Sequence, residues 1–516
     1  AGAVSIAVGY LVVARIPIDT IAIWDYGTAA SFRNLGALAL LCLALFGTFI
    51  AFGVIVSVLL GRAGEGIGRL YFADLAGAAA GCLVAIPLIA RLGPPVTVAL
   101  AALLFAAVGV LTAARRSTVA VVGTVAAALL AGAIVAGDDT LPPIRVEDTK
   151  LDGEHAVFSD WGPVFRVDVL DVGVEDGLLL AHDGTFGSGL RRFDGTDADL
   201  PDYATDPRAI PFSVLRGPPE RELIIGSAGG NEILASLAFG AAAIEAVELN
   251  PVTVGLLRDD FADFTGHLPD RPEVDLHLGD GRSYLARTDR AYDLVWFVAP
   301  DSYAATNAAS SGAFVLSESY LYTTEMIEET LEHLTDDGIM VVQFGELDAV
   351  GSPNRTSRYV VTAREALAAV GVTNPGNHLL VSALLTDSGD LSTIVVKRTP
   401  FTPEEIAGFE EAVAAQPGAV TFHTPAGGDG GRVSQLAAGS DAEVAALVDS
   451  LPDDISAVSD DAPFFWHFSP FGDVLRNILE PIEVADPEDA IGERVLLLLL
   501  GVAAAYAAVF LLLPFA

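Results

Sequence analysis

The chain has 516 residues and a formal charge of −39, from 67 acidic against 28 basic residues. That length holds a membrane part plus at least one full soluble domain, and such acidity excludes nucleic acid as a partner, because phosphate backbones select basic surfaces. Only two lysines occur, Lys150 and Lys397, and the acids are spread along the chain rather than blocked into a tail, which predicts a halophilic source.

From the amino terminus, a partial apolar run at 1–14 precedes an uncharged run at 36–61, long enough to span a bilayer as a helix. Similar runs lie at about 71–90, 95–114 and 118–137, and another at 495–516. Several successive spans are not a cleavable signal peptide. Without an initiator methionine, and ending inside an apolar stretch, the sequence reads as a piece of a longer polytopic protein. Gly77 and Gly81, four apart in DLAGAAAGC, make a small-residue face suited to close helix contact. Asp74, at the mouth of that run, reads as interfacial, within reach of the headgroups. Cys42 and Cys82 both lie in apolar segments and read as buried small hydrophobes. The eight histidines show no ligand-like clustering, so no metal is expected.

The soluble part runs from about 138 to 490. Alternation at 164–172 and again at 178–181 predicts a hairpin or small sheet within 138–215. From 216 to 400 strand and helix patterns alternate, predicting a mostly parallel sheet covered on both faces. Helices are expected at 325–334 and 357–369, and strands at 339–344 and 393–397. Residues 427–431 read as a loop, 401–490 as an appended α/β segment, and 491–516 as a closing span.

The most informative stretch is 222–248, ELIIGSAGGNEILASLAFGAAAIEAVE. An apolar run ends in the turn Gly226-Ser227-Ala228-Gly229-Gly230, a helical stretch follows, and a second apolar run closes on Glu248. Strand, tight turn, helix, strand and acid lay a nucleoside across the carboxyl edge of a parallel sheet. The turn needs small residues so that backbone can approach the ligand, and an acid at the next strand tip can accept both hydroxyls of a ribose. A third apolar run, 274–278, leads into Gly279-Asp280-Gly281-Arg282, and a fourth, 292–298, leads into a polar loop at 299–311. Acids at the second and third strand tips suggest an adenosine site. The spacing from Gly226 to Glu248 also fits a dinucleotide, so spacing alone does not decide. A dehydrogenase would want a complete GxGxxG, which GSAGGN lacks because Ala228 occupies the second glycine.

With these residues in view, the soluble part resembles the spermidine synthase family, most closely its membrane-embedded relatives. The matching stretches are FRVDVLDV, AHDGTFG, ELIIGSAGGNE, AVELNP, FADFTGHL, GDGRSYL, YDLVWFVAPDSYAA, GAFVLSESYLYT and DDAPFF, across about 155–468. GRLYFADLAGAAAGC and the apolar runs after it are similar to the membrane part of those relatives. The resemblance implies an α/β architecture: a Rossmann-like, class I methyltransferase sheet with a small N-terminal β sheet, flanked here by transmembrane helices. It implies decarboxylated S-adenosylmethionine, or S-adenosylmethionine itself, as donor of a group to an amine. Carried over, Gly226, Ala228 and Gly230 form the turn beneath the donor, Glu248 holds the ribose, and Asp280 with Gly281 meets the adenine. Asp301 would be the base, Tyr303, Tyr320 and Tyr322 would shape the pocket, and Asp183 matches the substrate-binding pattern. Family members are commonly dimers or tetramers, so a homo-oligomer is possible, though membrane spans can replace that assembly.

Departures from the pattern bear on mechanism. Gly229 stands where aminopropyltransferases carry an aspartate, Ala299 replaces an aspartate directly after the fourth strand, and Phe165 replaces a glutamine of the small sheet. A polyamine is multiply cationic near neutral pH, so its site needs several carboxylates, one of which takes a proton from the attacking amine. The expected function is therefore a membrane-bound transferase that alkylates an amine or another nucleophile from an adenosyl sulfonium donor. The lost carboxylates leave methyl transfer open, to a small or apolar acceptor brought by the membrane part or its lipid. The rival class is a transporter or sensor whose soluble domain binds a nucleoside or polyamine without turnover; the scarcity of charge inside the spans beyond Asp74 weighs against ion-coupled transport. Topology is in conflict. Arg62, Arg69, Arg115 and Arg116 fall in two loops that share a side if every run crosses, and the positive-inside rule makes that side cytoplasmic. The soluble part would then face outward, whereas an adenosyl donor is available inside; a cytoplasmic soluble domain is the reading preferred.

Overall fold

The computed structural model describes residues 2–19, 22–112, 118–136, 141–142, 155–174, 176–298, 317–387, 389–480 and 491–509. The chain divides into two units. One comprises Ala1–Glu154, Ser159–Val167 and Leu498–Ala516, the other His155–Phe158 and Asp168–Leu497.

The first unit is helical where the apolar runs lie. Helix Ala29–Arg62 is capped by the Thr28 hydroxyl, which accepts from the Ser31 N–H and so satisfies one of the donors that a helix start leaves open. The runs expected at 71–90 and 95–114 form one continuous element, Ile67–Thr112, bent at Gly93. Gly93 has φ +72°, which only glycine adopts readily, and Pro94 and Pro95 follow, so the helix restarts in a new direction. Ala29–Arg62 and the stretch Gly64–Thr112 are long and apolar enough to cross a membrane by length and composition. Helix Thr118–Ala136 occupies the next expected run. Among the described residues, and apart from the helix's own backbone, nothing lies within 4 Å of a methyl placed on Gly77 or Gly81.

Strands β1 (Ala156–Trp161), β2 (Arg166–Leu170), β3 (Gly177–His182) and β4 (Thr185–Arg191) form a four-stranded sheet in chain order. Between β3 and β4, Asp183 and Gly184 have φ +48° and +82°, the paired positive values of a two-residue hairpin loop.

The main sheet of the second unit has nine strands: β5 (Glu222–Ile225), β6 (Ile244–Glu248), β7 (Val274–Leu278), β8 (Tyr292–Val298), β9 (Leu334–Glu346), β10 (Leu379–Leu384), β11 (Asp390–Val396), β12 (Ala419–Thr424) and β13 (Gly427–Gly428). Their order is β13-β12-β10-β11-β9-β8-β5-β6-β7. The five strands from β9 to β7 are parallel, whereas β11, β10, β12 and β13 continue the sheet antiparallel. The sheet is thus mixed rather than mostly parallel. The segment expected to be appended supplies β12 and β13 to this same sheet.

Both faces are covered, which is why Leu223–Ile225 of β5 and Leu294–Val298 of β8 are unbroken apolar runs. On β8, Val295 and Phe297 join the cluster containing Ile327, Val360 and Phe465. Trp296, between them, meets Phe212 edge-on at 5.9 Å, and Phe212 stacks on Phe239 at 4.5 Å. The helices expected at 325–334 and 357–369 are Thr324–Glu332 and Asn354–Ala369.

Candidate active site

β5 is fully buried and stops at Ile225 because the backbone turns left-handed at Gly226, φ +87°. Ala228 at φ +40° and Gly230 at φ +83° complete the turn. The Gly230 N–H donates to the Ser227 carbonyl at 2.8 Å, and the Gly226 N–H donates to the Val247 carbonyl of β6 at 2.9 Å. Gly230 is held small from outside as well, since a methyl there would stand 2.8 Å from Leu268 Cδ2. Helix Asn231–Ala238 starts immediately after.

Glu248 closes β6 and is 7% exposed. Its Oε2 accepts from the Ala228 N–H at 3.0 Å and its Oε1 from the Asn250 N–H at 2.8 Å. Burial raises the pKa of this carboxyl, opposed by those amide bonds. Glu248 is therefore first a pin that holds Ala228 in its strained conformation. A carboxylate has about four acceptor positions, so the two amide bonds leave capacity for hydroxyl donors of a ligand.

The third strand tip lies alongside. Glu248 pairs in register with Leu278 of β7, and the Gly279 N–H donates to the Glu248 carbonyl at 2.9 Å. Asp280 is exposed, and its Oδ1 accepts from the Ser283 N–H at 2.8 Å, capping helix Gly281–Leu285. Gly281 is buried, and a methyl there would lie 2.4 Å from Ile225 Cγ2, so this loop packs directly on the end of β5. The turn, Glu248 and Asp280 thus come together at the carboxyl edge of three neighbouring strands.

The other site residues are placed differently. Asp183 sits in the β3–β4 hairpin. Tyr320 is exposed, with the Arg282 guanidinium 5.7 Å from its ring centroid. Tyr322 is only 1% exposed; it stacks on Phe465 at 4.4 Å and meets Tyr359 and Trp466 edge-on. It is therefore core rather than pocket wall. Asp301, Tyr303 and Ala299 lie outside the described residues. Sequence reasoning also gave no role to Asp460, in DDAPFF, whose carboxylate takes both terminal nitrogens of Arg282 at 2.7 and 2.5 Å. Nothing local to either residue signals that pairing.

No family model matches the chain. Over 180 residues it is 27% identical to a polyamine aminopropyltransferase from Thermoplasma volcanium, covering 35% of this chain and 58% of that protein. Over that stretch the chain is similar to a polyamine aminopropyltransferase. It spans 58% of the length of this curated relative. A solved spermidine synthase from Thermotoga maritima is 16% identical, with a TM-score of 0.36 over 51% of this chain and 84% of that one. A second, solved with a transition-state analogue, is also 16% identical, with a TM-score of 0.35 over 51% of this chain and 83% of its own.

At one of the positions where the sequence departs from the spermidine synthase pattern, the structure supplies a steric reason. A methyl on Gly229 would lie 2.1 Å from the carbonyl oxygen of Gly189 in β4 and 2.8 Å from its carbon. The same carbonyl accepts from Asn231 Nδ2 at 2.8 Å, so β4 is fastened over the turn. An aspartate has no room at position 229 in this arrangement. Phe165 is buried, at 7% exposure, as an apolar residue rather than a polar site group.

Proposed function

We propose that the second unit binds an adenosyl sulfonium donor at the carboxyl edge of β5, β6 and β7 and transfers a group from it to an amine or another nucleophile. The observation that carries this reading is the meeting of the glycine turn, Glu248 and Asp280 on three adjacent strand tips. In this reading Glu248 receives the ribose hydroxyls on the acceptor positions left by its two amide bonds. Asp280 keeps Oδ1 for its helix cap and offers Oδ2 to the adenine amino group. The likeness of 180 residues to a polyamine aminopropyltransferase supports the same class of donor.

The transfer is an in-line attack on the sulfonium-bound carbon. The carbon–sulfur bond breaks, the thioether leaves with the electron pair, and the nucleophile loses a proton to a base, the role proposed for Asp301. Positioning the two partners and excluding water supply most of such a rate enhancement. The Gly189 carbonyl over Gly229 favours S-adenosylmethionine and methyl transfer over aminopropyl transfer, because the site has lost a carboxylate that a multiply cationic partner needs. The long apolar helices support a membrane-bound enzyme that takes an amine or apolar acceptor at the lipid surface, with its donor site on the cytoplasmic side.

Calorimetry of the detergent-solubilised chain with S-adenosylmethionine, its decarboxylated form and methylthioadenosine tests the reading. Binding of methylthioadenosine, lost in Asp280→Asn, is the expected result. Asparagine keeps the helix cap but replaces the free carboxylate oxygen with an amide NH2 that cannot accept. Silence toward all three ligands overturns the proposal in favour of a non-catalytic module.

A further inference from the structure

The loop that carries Asp280 is held from far along the chain. Arg282, two residues on, donates through Nη1 to Asp460 Oδ1 at 2.7 Å and through Nη2 to Oδ2 at 2.5 Å. A planar guanidinium matched to both oxygens fixes orientation as well as distance. Arg282 Nη1 also reaches the Tyr320 carbonyl at 3.3 Å. Asp460 is itself secured, since the Thr323 hydroxyl donates to its Oδ1 at 2.8 Å and its backbone N–H donates to Glu325 Oε2 at 2.9 Å. The two side chains are 24% and 34% exposed, half-sheltered rather than free on the surface. The Arg282 hydrogen bond is the largest influence holding the Asp460 carboxyl below its ordinary range.

Without this pair the loop keeps its ties to β6: the Gly279 N–H bond to the Glu248 carbonyl at 2.9 Å and the Tyr284 hydroxyl bond to Glu245 Oε2 at 2.9 Å. The Asp280–Ser283 cap orders one side chain relative to its own helix, and the close fit of Gly281 on Ile225 sets only how near the loop stands. None of these bonds reaches helix Thr324–Glu332, on the other side of the loop. The fork between Arg282 and Asp460 supplies that second anchor, because Asp460 is held by Thr323 at the start of that helix.

We propose that Asp460 is a positioning residue for the donor site: through Arg282 it fixes the strand-tip loop that presents Asp280. The inference rests on the donor site proposed above, to which it adds a residue 178 positions away in sequence from its partner.

The test uses the full chain in detergent with methylthioadenosine as probe. Asp460→Asn preserves shape but weakens the fork, and Asp461→Asn, at the exposed neighbouring acid, is the control. Asp460→Asn should weaken binding about tenfold, within the range of coupling transmitted through packed networks, and Asp461→Asn should not. Amide hydrogen exchange should quicken in residues 279–285 while β5 and β6 stay protected, which a general loss of stability would not produce. If Asp460→Asn loosens the whole fold, Arg282→Lys keeps the charge, removes the fork, and must give the same loop-confined change. Wild-type binding matched by Asp460→Asn, with unchanged exchange at 279–285, overturns the role of Asp460 alone. Wild-type silence overturns the donor reading and this role with it.

Discussion

The carbonyl oxygen of Gly189 lies where the side chain of residue 229 would begin, 2.1 Å from a methyl placed there. Real side chains do not approach backbone this closely, so either β4 or the glycine turn must move to admit one. Gly229→Ala should therefore destabilise the second unit by about 1–3 kcal/mol, the usual cost of overpacking, read as a lower denaturation midpoint. Gly229→Asp should cost at least as much and should not create affinity for spermidine. A Gly229→Asp protein that keeps wild-type stability and gains polyamine binding would show that the turn has space for the acid.

Glu248 carries two tasks, and a conservative change separates them from simple bulk. Its oxygens accept the Ala228 and Asn250 amides, so Glu248→Gln places an NH2 against one donor and leaves that buried N–H unpaired. The cost should be about 1–3 kcal/mol. Relaxation of Ala228 should also lower methylthioadenosine affinity by more than about tenfold, since both a ligand acceptor and the turn geometry are lost. Denaturant unfolding and calorimetry on the same preparation check both numbers. Unchanged binding in a correctly folded variant would remove Glu248 from the donor site.

At the opposite end of β5, Glu222 is fully buried, with only the Ser236 hydroxyl donating to Oε1 and no partner on Oε2 among the described residues. Burial pushes its carboxyl up to about 8 from 4.5. The folded state therefore holds a proton that the unfolded chain releases across the window from about 4.5 to 8. Stability from this group is present below that window and is lost as pH rises through it, by at most about 1.4 kcal/mol per pH unit. Glu222→Gln should flatten the slope relative to wild type and make the variant the more stable protein above pH 8. Parallel slopes for the two proteins in urea titrations from pH 5 to 9 would disprove a protonated Glu222.

The contrast among these residues marks how far the sequence alone reaches. The run from Glu222 to Glu248 is contiguous, its buried strands are mostly apolar with Glu245 the one acid inside β6, and glycine punctuates it, so the turn and the acid beyond it were readable from neighbours. Gly229 was readable as a departure but not as a steric necessity, because its reason is the backbone of Gly189 on another strand. Tyr322 read as a pocket residue because it stands in a matched motif, yet Phe465, far along the chain, draws it into the core. The antiparallel half of the sheet was missed for a similar reason. β10 pairs with β11 and β12, and neither partner's direction is written in a run of alternating apolar residues.

Arg358 offers a final prediction about what keeps DDAPFFWHF in place. Its side chain is 2% exposed, and Nη1 donates to the carbonyls of Phe465 at 2.6 Å and His467 at 2.9 Å, while Nη2 donates to the Asp454 carbonyl. The guanidinium also lies 4.4 Å from the Phe468 ring centroid, a cation–π contact in a sheltered setting. Each carbonyl left unpaired in the interior costs about 1–3 kcal/mol, so Arg358→Met should lose at least about 3 kcal/mol despite its apolar fit. Arg358→Lys, which has donors but no planar fork, should fall between the two. Limited proteolysis should then cut within 454–468 before the rest of the second unit opens. Because Asp460 lies inside that span, the same variant should weaken methylthioadenosine binding although Arg358 touches neither Asp280 nor Glu248 through any of these bonds. A wild-type cleavage pattern in Arg358→Met would mean that Tyr322 and its aromatic neighbours hold the segment without the arginine.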